Sequence, residues 1–271
     1  MPMIILTCLA SRLSNKQVVW VEDRMEHLTA ASSATGRLTK IKASIDDQGT
    51  IHALDYDQID DVGAYPRAPE PASLYRMHGN LSGAYKVKNI RCRNRVILTN
   101  KTPSGLNRGF GGPQHYFALE RLVHQIAVEL KLNVLDVIKI NLLEKNQFPY
   151  KSPSGALLDS GNFQKLVKKV IESSTYKKIL KNKNDSVKNG KIYGIGYSAI
   201  IEPSISNMGY VTTALPYQDR EKTGHKGGAL ASTSVSIGPT GSVYVTCDSL
   251  PQGQGHETIL SQIVADVFGV K

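Results

Sequence analysis

The 271-residue sequence predicts an α+β fold, with strands and helices segregated into runs, and three observations carry that expectation. Strand-like stretches are grouped, at 36–45, 51–56 and 87–99 and again at 231–237 and 242–247. Helix-period stretches fall together between them, at 113–130, 134–143 and 162–173. Two glycine-rich loops, near residues 110 and 255, each run directly into an apolar helix. Strict strand–helix alternation would instead predict βαβ units and a parallel sheet.

Each element has its own signal. Residues 6–13 read as the last turns of a helix and residues 17–21 (Gln-Val-Val-Trp-Val) as a strand, so the chain reads as entering in mid-domain. Residues 36–45 and 51–56 form a hairpin pattern across Asp46-Asp-Gln-Gly49, and with 87–99 they predict a meander of strands. Residues 61–82, with Pro66, Pro69 and Pro71, are loop-like. In 113–130, Phe117, Leu119, Leu122, Val123, Ile126 and Leu130 recur at helical spacing. In 134–143, Val134, Val137, Ile138 and Leu142 share a face. Residues 162–173 predict a helix with Phe163, Leu166, Val167, Val170 and Ile171 inward, and a polar continuation to about residue 188. Residues 192–201 alternate Tyr193, Ile195 and Tyr197 with small residues, a strand pattern. Gly238-Pro-Thr-Gly241 sits between two strand-like runs and predicts a hairpin. The last helix carries Ile259, Leu260, Ile263, Val264, Val267 and Phe268, with Gly269 placed to end it.

The stretch from Gly105 to Gln114 places four glycines in eight positions, then Pro113 at the first turn of a helix. Glycine lets backbone approach a ligand closely, and a helix start offers N–H groups to anions. Arg108 adds a fixed charge with a planar fork, and Phe110 an aromatic ring flanked by glycines. Gln252-Gly-Gln-Gly-His-Glu-Thr258 repeats the arrangement before the last helix.

Arg108-Gly-Phe-Gly-Gly-Pro-Gln114, continued by a helix carrying Glu120 and Arg121, resembles the active-site loop of the xanthine dehydrogenase/aldehyde oxidase family of molybdenum hydroxylases. Gln252 to Thr258 resembles that family's pterin-binding loop. Glu202-Pro203 through Ser206-Asn-Met-Gly-Tyr210 resembles the stretch between them. The three stand in the family's order and the resemblance covers nearly the whole chain. It implies partial molybdopterin-binding domains of a large subunit: residues 1–150 as a first α+β part with the first loop, and residues 151–271 as the start of a second part with the pterin loop.

The resemblance also implies a function. The chain is expected to be the molybdenum-cofactor-binding portion of an oxidoreductase that hydroxylates aldehydes or aromatic heterocycles with water as oxygen source. Arg108, Gly109, Gly111, Gln252, Gly253, Gln254, Gly255, His256 and Thr258 are the implied cofactor contacts, and Phe110 the implied substrate contact. The cofactor is molybdopterin or its cytosine dinucleotide; iron–sulfur clusters and FAD belong to partner subunits. No catalytic residue is expected in this chain, because the family's glutamate base lies in a motif not found here, and Glu202 does not match it. No direct metal ligand is expected either. Two places bear on the substrate. Carbon monoxide dehydrogenases carry a cysteine where this chain has Gly109, which favours hydroxylation over CO oxidation. Asn107 replaces a residue that is more often aromatic or small and apolar. The alternatives are a non-catalytic scaffold or remnant subunit of such a complex, or a homologue of the carbon monoxide dehydrogenase large chain. The expected partners are other portions of the molybdenum subunit, an iron–sulfur subunit and an FAD subunit.

Composition limits the remaining classes. Hydrophobic residues are 41% of the chain and the mean hydropathy is -0.23. No apolar run reaches the roughly 20 residues of a membrane span. The net charge of +10 is local in origin: nine lysines lie between residues 165 and 191 against Glu172 and Asp185. No aromatic-interleaved basic motif accompanies them, so a solvated insertion is expected rather than a nucleic-acid site. Cys8, Cys92 and Cys247 are three and far apart. That pattern predicts reduced thiols in a cytoplasmic protein, without a zinc or iron–sulfur site.

Overall fold

A computed structural model describes residues 2–34, 36–66, 76–109, 111–201, 217–220 and 232–270. The chain divides into two compact units, Met1–Pro203 with Tyr210–Lys222, and Ser204–Gly209 with Thr223–Lys271.

The first unit is built on a three-stranded sheet of order β1 (Gly36–Ile45), β2 (Ile51–Asp61), β3 (Asn89–Ile97). β1 and β2 pair antiparallel. Asp46 forms their turn, its Oδ1 accepting from the N–H groups of Gln48 and Thr50 at 3.0 and 2.9 Å. β3 pairs with β2 in parallel, so the strands are not the expected meander. A parallel neighbour cannot be reached by a tight turn, and the long connection from 62 to 88 supplies the crossover. The inner face of β2 buries Leu54, Tyr56, Gln58 and Asp60. On the outer face Arg91 pairs with Asp55 at 2.8 Å and Arg95 with Asp57 at 2.7 Å.

Helix α1 (Pro2–Ser14) is followed by α2 (Arg24–Ala30), which begins with a capping box between Asp23 and Glu26. Residues 17–21, expected as a strand, form none. Helix α3 (Gly112–Glu129) packs on the sheet through His115, Tyr116, Leu119, Glu120, Val123, Ile126 and Ala127. That face includes two polar residues and leaves out Phe117, expected inward but 73% exposed. The stripe that repeats every three and four residues from His115 simply does not pass through position 117.

Helix α4 (Val134–Asn141) is capped by Asn133. Its last residue joins it to the β1–β2 turn: Asn141 Oδ1 accepts from Ile51 N–H at 2.7 Å, and Nδ2 donates to Gly49 O and Val137 O at 2.8 Å. A two-residue ribbon pairs β4 (Tyr150–Lys151) with β5 (Leu157–Leu158).

Helices α5 (Phe163–Glu172) and α6 (Ser174–Lys188) are separate, because Ser173 turns the chain and its Oγ caps α6 at Tyr176 N–H. Of the five residues expected inward on α5, Phe163 and Val167 pack on the core, whereas Leu166 and Val170 are exposed. All nine lysines of this region are exposed. Residues 192–201 keep a period of two without joining a strand ladder among the described residues. A single turn, α7 (Tyr217–Arg220), completes the described part of this unit.

In the second unit β6 (Thr233–Ile237) and β7 (Val243–Cys247) form the expected hairpin, and α8 (His256–Phe268) ends at Gly269 with φ 66°. The apolar residues expected to be buried on α8 are not. Ile259, Ile263, Val267 and Phe268 are exposed, since one hairpin and one helix offer little surface to cover them. No helix among the described residues is long and apolar enough to cross a membrane.

Candidate functional site

The first loop hangs from one end of the sheet. Ser104 N–H donates to Val62 O at 3.0 Å and Gly105 N–H to Ser33 O at 2.8 Å. Beneath lies a buried ion pair. Arg37 Nε and Nη2 donate to the two oxygens of Asp60 at 2.6 and 3.0 Å, and Asn94 Nδ2 adds a third bond at 2.8 Å. Close packing fixes the loop's glycines. A Cβ at Gly105 would lie 2.5 Å from Ser32 Cβ, and one at Gly109 (φ +99°) 2.7 Å from Pro113 Cδ.

Gly111, with φ 82°, is the residue before α3 and has no side chain to cap it. No acidic residue stands in the first turn, and Pro113 occupies it. Arg108 is exposed and its N–H donates to Asn107 Oδ1 at 2.9 Å. Arg108, Gly111, Pro113 and Gln114 line a recess of about 100 Å³ with Ala34, Gly105 and Asn107. Gly109 lies between this recess, which Arg108 lines, on one side and a larger cleft on the other. Phe110 lies outside the described residues, as do Glu202, Pro203 and Ser206 to Tyr210.

The second loop is alike. Gly253 and Gly255 have φ of 96° and 73°, and Gly255 precedes α8 without a capping side chain. Among the described residues a Cβ at Gly255 would meet nothing within 4 Å. Gln252 N–H donates to Gln254 Oε1, which leaves the Gln254 amide hydrogens to be donated. His256 Nδ1 lies 3.3 Å from Ser249 Oγ. Gln252, Gly253, Gln254, Gly255 and Thr258 are all exposed. Among the described residues no three His, Cys, Asp or Glu side chains gather as a metal site.

One feature of the first unit was not singled out as a site in the sequence. A cleft of about 690 Å³ runs beside the loop, lined by Gly109, Gly112, Pro113, Phe117, Glu120, Arg121, His124 and residues of 195–200. Glu120 is 6% exposed. Tyr85 Oη donates to both its oxygens at 3.0 Å and Ala199 N–H to Oε2 at 3.0 Å. Burial pushes its carboxyl up to about 7, although the bonds from Ala199 and Tyr85 pull the other way. The available signal was a lone carboxylate four residues after Tyr116, on the stripe that α3 buries.

Each unit thus carries a left-handed glycine that leads into a helix whose first turn has no capping side chain. The chain belongs to the molybdopterin cofactor-binding domain family, whose profiles match residues 1–142 and 169–271. It is 29% identical over 99% of its length to the nicotine 6-hydroxylase large subunit of Paenarthrobacter nicotinovorans, covering 32% of that protein. To the carbon monoxide dehydrogenase large chain of Afipia carboxidovorans it is also 29% identical, over 96% of this chain and 32% of the relative. Among solved structures, quinoline 2-oxidoreductase from Pseudomonas putida 86 aligns with a TM-score of 0.77 and 28% identity, over 98% of this chain and 33% of that one. The chain thus spans about a third of the length of these relatives. The α+β fold class and the molybdenum hydroxylase resemblance both hold.

Proposed function

We propose that the chain is the molybdenum-cofactor-binding portion of a hydroxylase acting on aldehydes or aromatic heterocycles, working within a multisubunit complex. The observation that carries the reading is the pair of glycine loops. Taken by itself, the second loop starts α8 at Gly255 with no capping side chain, so its first-turn N–H groups can meet an anionic or carbonyl-bearing part of the cofactor. At the first loop Gly112 N–H is bonded to Gly109 O and Pro113 has none, so there the glycines serve close approach rather than donation. The residues fit the group: Arg108 supplies a bidentate donor, Gln254 an exposed amide and Gly109 a close backbone. His256 and Thr258 complete the second loop, and Phe110 positions the substrate ring. When bound, the cofactor supplies the redox chemistry, with water as oxygen source. This chain's residues orient it, and the proton-abstracting glutamate comes from another segment.

A division near residue 150 belongs to the same proposal, as one between the matched stretches 1–142 and 169–271 and not between the compact units, which part at Pro203 and Ser204. So do an iron–sulfur subunit and an FAD subunit, since the relatives are named as large subunits or large chains. Free thiols at Cys8, Cys92 and Cys247 support a cytoplasmic setting. The test is turnover by the native assembly, captured through this chain, on aldehydes and nitrogen heterocycles in ¹⁸O-labelled water. Labelled product is expected. No turnover, or label arriving only from dioxygen, would leave the scaffold reading in its place.

A further inference from the structure

Residues 192–201 follow α6 and run extended across α3. Ile195, Tyr197, Ala199 and Ile201 are half-buried while Gly196, Ser198 and Ile200 are exposed, and Tyr197, Ala199 and Ile201 pack on the core. The segment has the alternation of a strand but no strand beside it among the described residues. Side chains of α3 take that place. Tyr116 Oη donates to Ile201 O. Glu120 Oε2 accepts from Ala199 N–H at 3.0 Å. His124 Nε2 lies 2.7 Å from Tyr197 O and 3.3 Å from Tyr197 N.

The spacings explain the match. Residues 116, 120 and 124 stand one helical turn apart, about 6 Å per four residues. Their partners 201, 199 and 197 are two residues apart in an extended chain, about 6.6 Å. The two periods run together for three rungs, antiparallel. The middle rung is tied to the core as well, because Tyr85 Oη donates to both oxygens of the Glu120 carboxylate.

We infer that Glu120 is a positioning residue: with Tyr85 it fixes the middle rung of this side-chain ladder, seats residues 195–200 as a wall of the cleft beside Gly109, Gly112 and Pro113, and makes that seating depend on a proton. Tyr85 from the 62–88 connection and Tyr56 from β2 interact with it, and Tyr116, Arg121 and His124 of α3 and Tyr197 of the segment are the titratable or charged groups that line the same cleft. Burial, to which the segment contributes at Ala199, is the leading cause of the raised carboxyl, at about 7 against an ordinary 4.5. Lifting the segment hydrates the group and returns it toward the ordinary value. The seated form therefore holds the proton more tightly, so seating is firmest at low pH and weakens as pH rises through the interval up to about 7. Between pH 6 and pH 8.5 the two values give about a tenfold fall in the seating constant.

The test needs no bound cofactor, so it stands or falls apart from the proposed function. Amide exchange of the full 271-residue chain is followed by mass spectrometry at pH 6 and pH 8.5 and corrected for intrinsic rates. In the wild type, protection of peptides covering 192–201 should drop about tenfold, while peptides of β2 stay level. Glu120→Gln keeps an acceptor without a charge, so its protection should be high and flat with pH. Glu120→Ala should be weakly protected at both pH values. A drop that persists in Glu120→Gln would come from another group, His124 included, and would overturn the inference. A drop spread evenly over the first unit would overturn it as well, since the proton would then act on global stability rather than on the segment.

Discussion

Splitting the Arg37–Asp60 pair should be among the most damaging single changes in the first unit. The two side chains are 2% and 0% exposed. Asp60 accepts two bonds from Arg37 and one from Asn94, all within 3.0 Å. Asp60→Asn keeps the shape but leaves the guanidinium buried without its counter-charge. Breaking a buried pair from one side costs about 3–5 kcal/mol, whereas replacing both partners with apolar groups of similar volume is often close to neutral. Asp60→Asn and Arg37→Met should therefore each cost about 3–5 kcal/mol, while Arg37→Met with Asp60→Leu should cost less than about 2 kcal/mol. The consequence reaches the site, because Val62, two residues beyond Asp60, holds the start of the glycine loop at Ser104. Urea unfolding followed by far-UV circular dichroism, with amide exchange at β2 assigning the transition to the first unit, measures all three. Singles costing under 1 kcal/mol, or a double equal to their sum, would refute the reasoning.

Other consequences can be measured on the same chain. Asn141→Ala removes two bonds that tie α4 to the β1–β2 turn and a third within α4, to Val137 O. It should destabilise the first unit by about 2–4 kcal/mol in urea titration, each buried group left unpaired costing about 1–3 kcal/mol; a loss below 1 kcal/mol would contradict the role. Gly109→Ala should cost more in thermal melts than Gly255→Ala. Both force an L-residue into positive φ, about 1–2 kcal/mol, but only the first drives a Cβ to 2.7 Å from Pro113; equal losses would contradict this. Burial pushes the Cys92 thiol up to about 11, with Asp60 and Asp55 adding to it against Arg37. Reactivity follows the thiolate, so Cys92 should resist iodoacetamide at pH 8.5 while exposed Cys8 reacts, and should gain reactivity only in strong alkali. Equal labelling of the two cysteines at pH 8.5 would count against the burial account.

Where one physical signal decided the structure, the sequence carried it. The β1–β2 hairpin follows from Asp46 and Gly49, the start of α3 from Pro113 and the end of α8 from Gly269. The parallel placement of β3 was not legible, because pairing direction is set by a crossover rather than by the strand's own composition. Helix α2 buries nothing and so shows no apolar stripe, although Asp23 and Glu26 did spell its cap. Residues 192–201 had the right period, but nothing local says that side chains of a helix, rather than a strand, would hold them. Both glycine loops were visible because positive φ demands glycine at 109, 111, 253 and 255. Glu120 was read as part of a helix, since a buried carboxylate is recognised only once Tyr85 and Ala199 are beside it.

The central claim is that the second loop receives the pterin through its bare backbone, and Gln254→Ala with Gly255→Val tests it most directly. Among the described residues, a Cβ at position 255 meets nothing within 4 Å. What the added valine obstructs is thus the space where a ligand would approach, apart from the backbone strain of positive φ. Molybdenum by mass spectrometry and oxidised pterin by fluorescence are measured on the native assembly carrying wild-type or doubly substituted chain, with circular dichroism as the folding control. The account predicts stoichiometric metal and pterin in the wild type and loss of both in a folded variant. Undiminished loading of the folded variant would contradict it.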